Sequence, residues 1–280
     1  MLSLILLMMS SFIAKDHSLS VEQAMKEKKI EVDILPYGTY EGDGIKIKIR
    51  NLTNRSLKLK LDRGATFIPD SDDEQTLVNS TEQIFALEGN ARKTLHFYGY
   101  CTELHDKGPD NASTFTLSST GNTKLKSLLN YMDSLKIKDQ DMIQHAIWCV
   151  TDSQTVAYVG NDDPKTSNAL RNYLCSLTGQ KNTWYKTDAS IRQNQNHEFI
   201  ITPKVIKGDL SFTATEKVEL KGVIKDGEGN IIYSKPNTIS MPPGNITFEF
   251  KLTIEGWKKG SYAVVYTNNG KEVINHKFEI

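Results

Sequence analysis

Between Ile30 and about Phe97 apolar residues recur at every second position, most plainly in Ile45-Lys-Ile-Lys-Ile49 and Leu57-Lys-Leu-Lys-Leu61. Side chains on a strand point alternately to opposite faces, so runs of this kind have one apolar and one wet face and belong to antiparallel sheets. The connection Asn51-Leu-Thr-Asn54-Arg-Ser is rich in turn formers, and the two runs are expected to pair as a hairpin. Further strands are expected at Thr76 to Val78, Gln83 to Leu87 and Lys93 to Cys101, with the polar stretches Asp70 to Glu74 and Glu88 to Asn90 between them. Stacked together, these strands make an antiparallel β-sandwich.

After Asp106-Lys-Gly-Pro-Asp110 the period lengthens. Leu125, Leu128, Leu129, Met132 and Leu135 recur at three and four, the spacing of an amphipathic helix. A second helix is expected to start near Asp139, turning Ile143, Ala146, Ile147 and Val150 inward. A third runs from about Pro164 to Leu177, with proline at its start and Gly179 just past its end. Residues 30–185 are therefore expected to form an α+β domain, a sandwich with inserted helices, preceded by an N-terminal arm at 15–29.

Residues 186–197 are polar and without period, which is the pattern of a linker. From 198 to 280 the chain again reads as strands. Turns fall at Asp226-Gly-Glu-Gly-Asn230 and Asn268-Asn-Gly270, and seven short strands at this spacing suggest an all-β immunoglobulin-like sandwich. At the other end, residues 1–14 form an apolar run too short to span a bilayer, which changes to charge at Lys15-Asp16. It is expected to be a signal peptide removed on export, and the alternative is a first buried element of the fold.

Lys plus Arg and Asp plus Glu are equal at 34 each, so no global field draws the chain to nucleic acid or to an anionic membrane. Six scattered histidines show no metal-ligand spacing, and Asp70 to Glu74 lacks the glycine and distal glutamate of a calcium loop. Neither a metal nor another cofactor is expected.

The chemistry concentrates in two short motifs, Gly99-Tyr100-Cys101 and Ile143-Gln144-His145-Ala146-Ile147-Trp148. A cysteine and a glutamine can condense to an internal thioester when the thiolate attacks the amide carbonyl and ammonia leaves. Trp148 shares the Gln144 face of a helix and can roof the bond, Tyr100 can flank it, and His145 or Tyr100 can assist proton transfer. Cys149 is rotated about 140° from Gln144 on a 3.6-residue helix, facing elsewhere, where it can bridge Cys175. Three other readings stay open. Cys101 can be a small buried hydrophobe beside a packing Gln-x-x-x-Trp motif, it can form a disulfide with Cys149, or it can act as a nucleophile with His105 or His145 as base.

Tyr100-Cys101 and Gln144-His-Ala-Ile-Trp148, in that order with helices between, resemble the thioester domains of bacterial surface adhesins. In that family an aromatic residue precedes the cysteine and a Thr-Gln-x-Ala-x-Trp-like motif sits on a helix; here Ile143 replaces the threonine. The resemblance spans roughly residues 60 to 155. It implies a covalent adhesin, not a turnover enzyme, with an extracellular or host-surface protein or glycan as partner. Gly260-Ser-Tyr to Lys-Phe-Glu-Ile280 resembles the sorting domains that end many type IX secretion substrates, and equally a closing immunoglobulin-like hairpin. Both imply a secreted or surface-exposed bacterial protein, attached to a membrane at most through a surface anchor. A non-covalent binding or structural module is the alternative, and a cysteine hydrolase ranks last.

Overall fold

The computed structural model describes residues 18–36, 44–110, 112–119 and 121–280; the expected signal peptide lies outside them. Within these residues strands dominate, in several small sheets, and helices are few. The segment expected as an arm is built in. It forms a two-residue strand β1 (Leu19–Ser20) and a short helix α1 (Val21–Lys26), in which the Ser20 hydroxyl accepts the Gln23 N–H at 3.0 Å. Val21 and Ala24, three apart and so on one helix face, are buried in the core.

Nine strands follow: β2 (Ile30–Pro36), β3 (Ile45–Asn51), β4 (Leu57–Leu61), β5 (Ala65–Pro69), β6 (Leu77–Asn79), β7 (Gln83–Leu87), β8 (Arg92–Phe97), β9 (Gly99–Cys101) and β10 (Phe115–Ser119). The runs 45–49 and 57–61 are strands, as their alternation requires, but they do not pair with each other. β3 lies between β2 and β8, and β4 lies between β1 and β7. The cause is Asn51, which is fully buried. Its Nδ2 donates to the carbonyls of Arg55 at 2.8 Å and of Leu87 and Glu88 at 3.0 Å, while Oδ1 accepts from the N–H and hydroxyl of Thr53 at 2.8 Å. These bonds end one ladder and turn the chain into the facing sheet. The expected hairpin is thus an arch, and Ile45, Ile47 and Ile49 meet Leu59 and Leu61 across one sandwich core.

The three later helices lie where their punctuation puts them. α2 (Thr123–Ser134) is capped by Asn122, α3 (Gln140–Thr151) by Asp139, and α4 (Pro164–Thr178) starts on proline and ends at Gly179, whose φ is 77°. They cover the outer face of the sheet ordered β10-β5-β6-β9. There Val78 and Tyr100 join Leu125, Leu128, Ile147 and Leu170 in a second core, while their neighbours Leu77 and Cys101 face the sandwich core. Alternation along β6 and β9 places successive residues in different cores.

The stretch expected as a linker is mostly strand. β11 (Tyr185–Gln193) pairs antiparallel with β12 (Phe199–Ala214), a strand of 16 residues. Its polarity conceals this, because the segment is held by main-chain bonds and by charges: Asp188 binds Lys186 at 3.1 Å and Lys207 at 2.5 Å. The remainder, β13 (Val218–Asp226), β14 (Ile231–Ser234), β15 (Ile239–Met241), β16 (Gly244–Thr253), β17 (Ser261–Asn268) and β18 (Lys271–Glu279), completes a second sandwich. The sheet β11-β12-β16 faces one built from β13, β14, β15, β17 and β18 across a core of Leu210, Leu220, Phe250, Val264, Tyr266 and Phe278. No helix among the described residues is long and apolar enough to cross a membrane.

Candidate functional site

β9 is an edge strand. Cys101 stands opposite Leu77 of β6 on one side and, among the described residues, has no strand on the other. Helix α3 closes that side with a side chain. The Cys101 N–H donates to Gln144 Oε1 at 3.0 Å and Gln144 Nε2 donates to the Cys101 carbonyl at 2.8 Å, with both residues buried. The amide takes the place of one residue of a neighbouring strand, satisfying two main-chain groups that would otherwise be buried without partners. A second tie holds the far end of the helix, where Asp152, its C-cap, accepts the Leu104 N–H at 2.6 Å.

This geometry has chemical content. The carbonyl of Gln144 is polarised by an aligned donor, and its carbon lies against the residue that carries the thiol. Cys101 itself is a poor acid at rest. Burial first, and then the charge of Glu103, push its pKa well above the ordinary thiol value. Trp148 lies one turn beyond Gln144, is fully buried and shares the sandwich core with Cys101; its Nε1 has no hydrogen-bond partner. The Phe199 ring meets it edge to face with centroids 6.0 Å apart.

The structure therefore brings Cys101, Gln144 and Trp148 together, and turns two expected helpers away. Tyr100 points to the helical core, as alternation demands, and burial lifts its hydroxyl to about 12. His145, one step along α3, donates from Nδ1 to Gln154 Oε1 at 2.8 Å and stacks on Tyr158 with centroids 5.4 Å apart. Burial lowers its pKa, so the ring is neutral. His105 is exposed. No nucleophile–base pair with Cys101 results from either histidine.

Glu103, Asp152 and Phe199 were not singled out by sequence reasoning. Glu103 accepts the Thr76 N–H at 2.8 Å and the Thr102 hydroxyl at 2.7 Å, and burial raises its pKa. Only its spacing two residues beyond Cys101 on an extended chain could have marked it. All three cysteines are free thiols. Cys149 and Cys175, expected as a disulfide, sit on the facing helices α3 and α4 close enough to feel each other's charge, beside Arg171. Cys101 and Cys149 lie in different cores, separated by a sheet.

No family model matches the chain, and no curated protein matches it. Among solved structures, a red sea bream transglutaminase overlays 92% of this chain and 32% of its own, at 6% identity and a TM-score of 0.21. A β-glucosidase from Kluyveromyces marxianus overlays 84% of this chain and 44% of its own, at 10% identity and the same TM-score of 0.21. The chain spans less than half the length of either protein, and at that overlap neither informs the site.

Proposed function

We propose that this is a secreted or surface-exposed bacterial protein that attaches covalently to an amine through an internal thioester between Cys101 and Gln144. The finer architecture that goes with this reading is an α+β thioester-type domain followed by an immunoglobulin-like or sorting sandwich. The observation that carries it is the double hydrogen bond between the Gln144 amide and the Cys101 main chain. In the forming step Cys101 Sγ bonds to Gln144 Cδ and the C–N bond breaks. The thiol proton leaves with the amide nitrogen as ammonia. The Cys101 N–H stays on the oxygen throughout, where negative charge develops. In the attaching step an amine on an extracellular or host-surface partner takes the acyl group as an amide and the thiol is regenerated. Each molecule reacts once, so the protein is an adhesin and not a turnover enzyme. Deep burial keeps water from the bond in the interval.

The intact mass of the reduced chain tests this. The thioester form is one ammonia lighter than the sequence, Cys101→Ala restores the full mass, and methylamine adds at Gln144. A full mass with no adduct defeats the proposal.

A second reading, a non-covalent binding or structural module on the same scaffold, has its own support. Each polar atom of the Gln144 amide has a main-chain partner on Cys101, as a structural clasp requires, and burial favours the protonated Cys101 thiol.

A further inference from the structure

Cys101 and Gln144 are 5% and 2% exposed, and Trp148 is sealed, so no acceptor reaches the site unless a neighbouring element moves. The β11–β12 hairpin has the construction of such an element. Its base, residues 205–208 of β12, is paired to β11 on one side and to β16 on the other, and β16 alone continues the pairing to Ala214. Its distal end, Ala189–Gln193 paired with Phe199–Pro203, lies beyond the reach of β16 and is two-stranded. A β-bulge between Asp188 and Ala189 divides the two parts. Two-stranded ribbons are marginal on their own, and bulges at the boundary of a site redirect a strand.

The distal end is held down by its side chains. Ile191 stands opposite Ile201 and Gln193 opposite Phe199, which puts the three apolar residues on one face. That face packs on the core containing Cys101 and Trp148, while Ile200 on the other face is 48% exposed. At the tip, the Gly108 N–H donates to the His197 carbonyl at 2.7 Å and Lys107 bridges to Glu198.

We propose that the ribbon 189–203 is a flap, hinged at the Asp188/Ala189 bulge, that lifts Phe199 from Trp148 to open the Cys101–Gln144 site. The opening stands on the fold alone; its use in admitting an amine rests on the thioester reading.

Hydrogen exchange on the native chain tests the opening. Paired amides of 189–193 and 199–203 should exchange roughly tenfold or more faster than those of 205–208, which lie between β11 and β16. Equal protection overturns the flap. Phe199→Ala then tests the gating. Methylamine capture at Gln144 should quicken roughly fivefold or more, local opening being rate-limiting. An unchanged rate overturns gating. If the wild-type mass retains its ammonia, the thioester reading has failed on its own, and the same comparison is made with maleimide labelling of Cys101. Faster labelling in Phe199→Ala supports the flap, and an unchanged rate overturns its control of access.

Discussion

Gln144 completes a sheet edge for Cys101, supplying the acceptor for its N–H and the donor for its carbonyl from one side-chain amide 43 residues away. The clasp satisfies a buried strand edge, and it sets a carbonyl carbon beside a cysteine. The first property is measurable whether or not the second is used.

Gln144→Ala strands both main-chain groups of Cys101 in the interior and should cost about 2–4 kcal/mol. Cys101→Ala leaves those bonds in place and removes one small buried side chain, for about 1 kcal/mol. Urea unfolding of the two variants in reduced form gives the comparison. Equal losses would show that the clasp is not what holds α3 to β9.

Asn51→Ala removes the donor that holds the Arg55, Leu87 and Glu88 carbonyls and the acceptor for Thr53. The expected loss is about 3 kcal/mol or more, read as a fall in thermal midpoint with the far-ultraviolet spectrum retained at low temperature. A change within about 0.5 kcal/mol, the range of ordinary surface substitutions, would contradict the arch's dependence on this side chain.

His145 is buried and neutral, and its pKa is depressed from the ordinary 6.5 by burial, against the pull of Gln154, Asp141 and Asp139. The unfolded chain therefore binds the proton more readily. The contribution to stability is full above about 6.5 and is lost as pH falls from there through the depressed folded value. His145→Phe should flatten this limb of the stability–pH curve. A wild-type curve parallel to that of the variant between neutral pH and the carboxylate range would refute it.

The three thiols should differ in reactivity. Cys175 is partly exposed, while Cys149, pushed to about 12 by burial, and Cys101 are enclosed. Maleimide at neutral pH should modify Cys175 first in the native protein and the other two only on the timescale of opening. Peptide mapping of the labelled chain checks the order, and prompt labelling of Cys149 would contradict the packing of α3 against α4.

Features governed by near neighbours in the chain were legible beforehand. Asp139, Pro164 and Gly179 mark their helix ends because caps act within one turn. Alternation identifies β3 and β4 as strands but cannot name their partners, since the turn of the chain at Asn51 is decided by carbonyls at Leu87 and Glu88. That Cys101, Gln144 and Trp148 lie near one another was legible from motif order and helical spacing. The roles given to Tyr100 and His145 ignored direction: the period of two puts Tyr100 opposite Cys101, and 100° of helix rotation takes His145 from the Gln144 face. Phe199 carried no local signal. Its significance comes from a ring contact across 51 residues of sequence, counted as 199 minus 148.

β12 begins at Phe199 over Trp148 and ends at Ala214 in the core of the second sandwich. An extended strand is already near its full reach and cannot lengthen appreciably under tension. One stretch of backbone therefore runs from the second core, through the β16 ladder and the register shift beside Val205, to the ring that covers Trp148, so a displacement of the second sandwich and the exposure of Cys101 share a single connection.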